Sequence, residues 1–180
     1  MHSLPFCPLT AYAVPLPPTP DGATSYTNSN LPTNTSGPLI DSLNNFTISL
    51  LTFACGRDVY SPRQTCETCA TAYRNWACAV SFPRCGEAPP ALNVQAPALA
   101  PPTRTMQGAA PAYSELLPCI ETCQEVDRAC PPMLQWACPD VAVNANWSYG
   151  VGFVDGWDGD QGRGVPGVAQ DQWGMSWCNG

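Results

Sequence analysis

The chain has 180 residues, 44% hydrophobic and only 12% charged, with 21 Pro, 14 Gly, 11 Cys and a formal charge of -7. So much proline with so little charge points to a small core crossed by long loops, and seven scattered Arg without any Lys cannot neutralise a phosphate backbone, which excludes nucleic acid as a partner. Cysteine at roughly 6% is far above cytosolic usage and assigns the chain to an oxidising compartment.

In chain order, Met1 to Pro20 has no basic n-region and no unbroken apolar run, because Pro5, Pro8, Pro15, Pro17, Pro18 and Pro20 interrupt it. The chain therefore reads as the C-terminal part of a longer secreted or membrane-facing protein. Residues 15–38 are rich in Pro, Thr, Ser and Asn and read as an extended low-complexity loop, since that composition buries too little apolar surface to offset chain ordering. From Leu39 the pattern changes. Leu39, Leu43, Phe46, Leu50 and Phe53 recur at helical spacing and predict a first helix with Asn45, Ser49 and Thr52 facing solvent.

Ser61 as a cap, Pro62 at the first helical position and Gln64 as the capping-box partner predict the start of a second helix. Its buried stripe is Cys66, Cys69, Ala70, Tyr73, Ala77 and Val80, and it ends before Pro83. Residues 86–112 form a second low-complexity loop, rich in Pro and Ala. A third helix begins near Pro118, carries Cys119, Cys123, Val126 and Cys130 on one face, and stops at Pro131 and Pro132. Residues 139–180 are an irregular tail rich in Gly, Asp and Trp, without helical or strand period. The expected architecture is a single cysteine-rich domain over 1–180, mainly α, with long Pro- and Gly-rich loops. The longest apolar candidate, Phe46 to Cys55, falls well short of the ~18 to 20 residues needed to span a bilayer.

The chemistry-bearing patterns are few. Cys66-Glu67-Thr68-Cys69 has the spacing of a redox or half-zinc motif, but no βαβ pattern surrounds it, and in an oxidising compartment structural disulfides are the better reading. His2 is the lone histidine and sits beside the terminus, which leaves a nucleophile without a base. Asp155, Asp158 and Asp160 lie on a Gly-rich segment rather than on the rigid scaffold a glycosidase pair requires. The run Asp158-Gly159-Asp160-Gln161-Gly162 starts like a calcium loop, yet Ala169 stands where the bidentate acid belongs. An enzyme, a metal site and a cofactor are therefore not expected. Asn34, Asn45 and Asn146 head sequons, with Asn34 placed in a polar loop, and glycosylation agrees with the compartment.

The gaps Cys69-x8-Cys78-x6-Cys85 and Pro118-Cys119-x3-Cys123-x6-Cys130 resemble those of frizzled-type cysteine-rich domains. A closer likeness lies in the words between the cysteines: Leu51-Thr52-Phe53-Ala54-Cys55-Gly56-Arg57-Asp58, Tyr73-Arg74-Asn75-Trp76-Ala77-Cys78, Phe82-Pro83-Arg84-Cys85, Leu4-Pro5-Phe6-Cys7 and Arg128-Ala129-Cys130-Pro131. These are similar to the C-terminal region of the fungal stretch-activated calcium channel accessory subunits, the mating-induced-death family. The resemblance implies a frizzled-like helical fold and a glycosylated subunit on the outer side of the plasma membrane or in the secretory lumen. It also implies a large four-repeat pore subunit of a calcium channel as partner, and calcium influx under stress or mating as function. The alternative is a secreted frizzled-like module that binds a lipid, glycan or protein ligand. The frizzled-type order implies bridges Cys7 to Cys78, Cys69 to Cys130, Cys119 to Cys178 and Cys123 to Cys138. Cys55, Cys66 and Cys85 then remain; Cys55 with Cys66 closes a short loop, and Cys85 is left for a cysteine upstream. Arg74 and Trp76 are the candidate partner contacts, because Tyr73 falls on the buried stripe.

Overall fold

Helices carry most of the regular structure in the computed structural model, which describes residues 1–2, 4–19, 22–55, 60–86, 114–140, 148–150 and 178–179. The elements are α1 (Thr33–Leu50), α2 (Cys66–Ser81), β1 (Arg84–Gly86), β2 (Ser114–Leu116), α3 (Ile120–Ala129) and a 3-10 turn, η1 (Pro132–Leu134). The fold is mainly helical and disulfide-rich. Two compact units share the chain: Met1–Phe82 with Thr122–Cys138, and Pro83–Glu121 with Pro139–Gly180.

In the first unit, α1 begins at Thr33, before the Leu39 start expected from periodicity, so the loop read over 15–38 ends at Pro32. The early residues enter the helix without a side-chain cap and with Pro38 inside it, which is why propensity placed the boundary late. Farther along, the helix tolerates its Ser and Thr by back-bonding. Ser42 donates to the Pro38 carbonyl (2.8 Å), Thr47 to Leu43 (2.8 Å) and Ser49 to Asn45 (2.9 Å). Nor is the preceding segment unanchored: Tyr26 and Leu31 are buried, and the Tyr26 hydroxyl donates to the Pro17 carbonyl (3.0 Å). Two apolar anchors among prolines suffice because proline has little conformational entropy left to lose.

The second helix, by contrast, starts later than expected. Ser61 accepts from the backbone N–H groups of Arg63 (3.2 Å) and Gln64 (3.3 Å), so it closes a turn ahead of the helix. Thr65 is the cap: its hydroxyl accepts from the Thr68 N–H (3.1 Å), and the Thr65 N–H donates back to the Thr68 hydroxyl (2.9 Å). A reciprocal cap of this type contributes about 1 kcal/mol. Val80, expected in the buried stripe, is exposed, whereas Ala72, Cys78 and Ala79 are buried. The reason is that α2 is covered on more than one side. One cluster sets Ala77, Cys78 and Phe82 against Leu4, Tyr26, Leu31 and Leu39, and a second sets Cys69 and Ala72 against Leu50, Val126, Ala129 and Cys130.

In the second unit, β1 and β2 pair antiparallel, with Cys85 opposite Glu115. Of the 86–112 loop, Gly86 closes β1 and the rest lies outside the described residues. The expected tail is not wholly without pairing. Gly150 N–H donates to the Pro118 carbonyl (2.9 Å), and Asn179 N–H to Leu117 (2.7 Å), flanking the segment that leads into α3. The bridge Cys119–Cys178 fixes that arrangement.

Four further bridges join Cys7–Cys78, Cys55–Cys66, Cys69–Cys130 and Cys123–Cys138, all within the first unit. The two cysteines of the Cys-x-x-Cys motif thus turn to different partners.

Candidate functional site

The middle of α2 gathers the side chains of most interest. Tyr73 stacks on Phe46 of α1, with ring centroids 3.6 Å apart and planes within 5°. Its edge meets Trp136 at 5.8 Å, and Trp76 meets Trp136 edge-on at 4.7 Å. Trp136 follows η1 through Gln135, whose φ of 51° turns the chain inward, and its indole N–H donates to the Cys123 carbonyl (3.2 Å). The four rings form the aromatic wall of the first unit. Trp136 was missed by sequence reasoning because it lies outside any periodic segment; its closeness to Cys138 was the available signal.

Arg74 and Trp76, read together as partner contacts, are separated by the structure. Residues two apart on a helix lie about 200° apart around it. Trp76 is half-buried in the aromatic wall and packs against both core clusters. Arg74 points elsewhere, half-exposed, with one guanidinium nitrogen donating to the Thr71 hydroxyl (3.3 Å). Its Nε is buried and makes no hydrogen bond. In a chain with twice as many acids as Arg, this guanidinium has no carboxylate beside it among the described residues. The Nε is closed to solvent, so an incoming acceptor meets only the outer part of this half-exposed side chain, where a hydrogen bond to the charged group is stronger than one between neutral groups.

Among the described residues, one group of metal-capable side chains converges, Cys119, Glu121 and Cys178. Two of its three members are bonded to each other, so they offer no thiolate. Of the sequon asparagines, Asn34 is exposed in the first turn of α1, not in a loop, and Asn45 is exposed in that helix's interior. Asn146 and the acidic residues Asp155, Asp158 and Asp160 lie outside the described residues.

Burial pushes the Tyr73 hydroxyl above its ordinary value of 10.0. Tyr60 is raised as well, by burial first and against the opposing hydrogen bond of Thr68, while its hydroxyl donates to the Ala129 carbonyl (2.7 Å). A raised folded-state value means the unfolded chain loses these protons first. Stability is then intact below pH ~10 and falls as pH rises through the folded values. Melting temperature measured from pH 8 upward should fall beyond pH ~10, and Tyr73→Phe should make that fall shallower.

Comparison with known proteins adds the family. A family model described as "Stretch-activated Ca2+-permeable channel component", Mid1, matches residues 1–162. "Stretch-activated cation channel MID1" of Cryptococcus neoformans var. grubii is 35% identical over 207 aligned residues, covering 97% of this chain and 33% of the relative. The protein of the same name in Saccharomyces cerevisiae is 33% identical over 83% of this chain and 28% of its own length. "Stretch-activated cation channel yam8" of Schizosaccharomyces pombe is 29% identical over 83% of this chain and 31% of its own. The chain thus spans about a third of the length of these relatives. No solved structure matches it. With a match over nearly all of its described helical and disulfide-bonded framework, the chain belongs to the Mid1 family of stretch-activated Ca2+-permeable channel components.

Proposed function

We propose that this chain is a cysteine-rich part of an accessory subunit that docks on the extracellular side of a large four-repeat calcium channel polypeptide and promotes stress- or mating-induced calcium influx without lining the pore or catalysing a reaction. The observation that carries the reading is the family match over residues 1–162. Two features support it. The disulfide framework suits the outer side of the membrane or the secretory lumen. No helix among the described residues is long and apolar enough to cross a membrane.

The test removes the gene in its host, measures calcium uptake at low external calcium, and isolates the tagged full-length protein from membranes together with the pore polypeptide. Lost uptake and co-isolation of that polypeptide are expected. Normal uptake with no pore polypeptide recovered would move the reading to a secreted module for a lipid, glycan or protein ligand.

Within this reading Arg74 is the contact residue. Arg74→Glu should weaken co-isolation by a hot-spot amount, about 2 kcal/mol or roughly thirtyfold, with little change in melting temperature. Trp76→Ala should instead destabilise the fold by ~3 kcal/mol or more, since its ring belongs to the aromatic wall. Unchanged co-isolation in Arg74→Glu would remove Arg74 from the interface.

A further inference from the structure

We infer that Asn45 is an N-glycan acceptor modified only before α1 folds, whereas Asn34 stays open to the same modification afterwards. In the transfer, the Asn carboxamide Nδ2 displaces the lipid diphosphate from C1 of a polyprenyl-diphosphate oligosaccharide. The Nδ2–C1 bond forms as the C1–O bond breaks, the diphosphate leaves on the lipid, and the Nδ2 proton passes to the transferase's base. The acceptor must present its carboxamide and the hydroxyl two residues on to one active site together.

A formed helix forbids this, because positions i and i+2 lie about 200° apart around its axis. In α1 two of the three residues of the Asn45-Phe46-Thr47 sequon are committed. Asn45 points to solvent, the Thr47 hydroxyl is spent on the Leu43 carbonyl at 2.8 Å, and Phe46 between them is stacked on Tyr73 at 3.6 Å. Releasing the sequon means opening the C-terminal turns of α1, where Phe46 is stacked on Tyr73 and Leu50 is buried in the core.

Asn34 sits in the first turn of α1, between the buried anchors Leu31 and Leu39, and none of its own sequon side chains packs in the core. Pro32 provides no side-chain cap, no acidic residue lies in the first turn, and Pro38 has no N–H to give the Asn34 carbonyl. The Ser36 hydroxyl makes only a long contact with the Pro32 carbonyl, at 3.4 Å. A poorly capped first turn can fray between the anchors Leu31 and Leu39 without unpacking either, and an opened turn can adopt the extended form a transferase needs.

Once attached, a sugar on Asn45 is compatible with the fold, because the side chain is already exposed. It would lie one turn from Ile48, which is 64% exposed and otherwise bare, and would cover that apolar surface. The two acceptors are about three turns apart, so both sugars project from nearly the same face of α1.

The experiment uses the whole chain made without glycans and with its bridges formed. One sample is kept oxidised and another is reduced and alkylated; both are incubated with oligosaccharyltransferase and a lipid-linked oligosaccharide, and each site's occupancy is read by glycopeptide mass spectrometry. In the reduced chain both asparagines should be modified. In the oxidised chain Asn34 should keep its occupancy while Asn45 falls at least about tenfold. Equal Asn45 occupancy in the two samples, no Asn45 modification in the reduced chain, or loss of both sites in the oxidised chain would each overturn the inference. None of these readouts depends on a channel partner, so the inference stands or falls apart from the proposed function.

Discussion

Replacing Cys69 or Cys130 with Ser is expected to unfold the first unit at physiological temperature. The bridge spans 61 residues, and both cysteines are buried, at 0% and 5% exposure. Opening a loop of that length releases about 4 kcal/mol of unfolded-state entropy in the chain-entropy model, and each buried Ser hydroxyl left without a partner adds about 1 to 3 kcal/mol. Against a typical domain stability of about 5 to 15 kcal/mol, that is most of the margin. The Cys55–Cys66 bridge spans only 11 residues and both of its cysteines are half-exposed. Its removal should cost nearer 3 kcal/mol or less, and the fold should survive. Secretion yield and thermal melts of Cys69→Ser, Cys130→Ser, the double variant and the Cys55→Ser, Cys66→Ser pair decide the matter. A double variant at 69 and 130 that melts within a few degrees of the parent would refute the ranking.

Tyr73→Ala should be the most damaging change that leaves every cysteine in place. The side chain packs against both core clusters and touches three other rings, so its truncation opens a cavity where α1, α2 and the segment after η1 meet. Large aromatic-to-Ala changes in cores cost about 3 to 5 kcal/mol. Tyr73→Phe keeps the rings and should cost less than about 1 kcal/mol, because what stabilises the site is packing of the ring. Denaturant titration followed by tryptophan fluorescence reports the loss directly, since Trp76 and Trp136 flank the site. Equal stability of the Ala and Phe variants would mean that the wall is not part of the core.

Residue pattern by itself determined the oxidising, helical, cysteine-built character of this protein, the buried faces of α1 and α3, and the proline that stops each of the last two helices, because these depend on local periodicity and backbone chemistry. It misplaced the starts of α1 and α2. Ser61 and Thr65 carry the same capping chemistry a few residues apart, and only the packing of α2 selects Thr65; the early turns of α1 form with poor local propensity because Tyr26 and Leu31 anchor the chain just before them. Cysteine spacing put the sulfurs on helix faces but could not say which sulfur meets which, since 61 residues separate Cys69 from Cys130 and pairing at that distance is a property of packed elements. The same holds for the site. Arg74 and Trp76 look equivalent in sequence, two polar-tipped anchors on one helix. Tertiary packing divided them, turning Trp76 into the aromatic wall with Trp136 and leaving Arg74 half-exposed with its Nε buried and unsatisfied, because a helix presents neighbours two apart to opposite surroundings and only the folded chain decides which side is core.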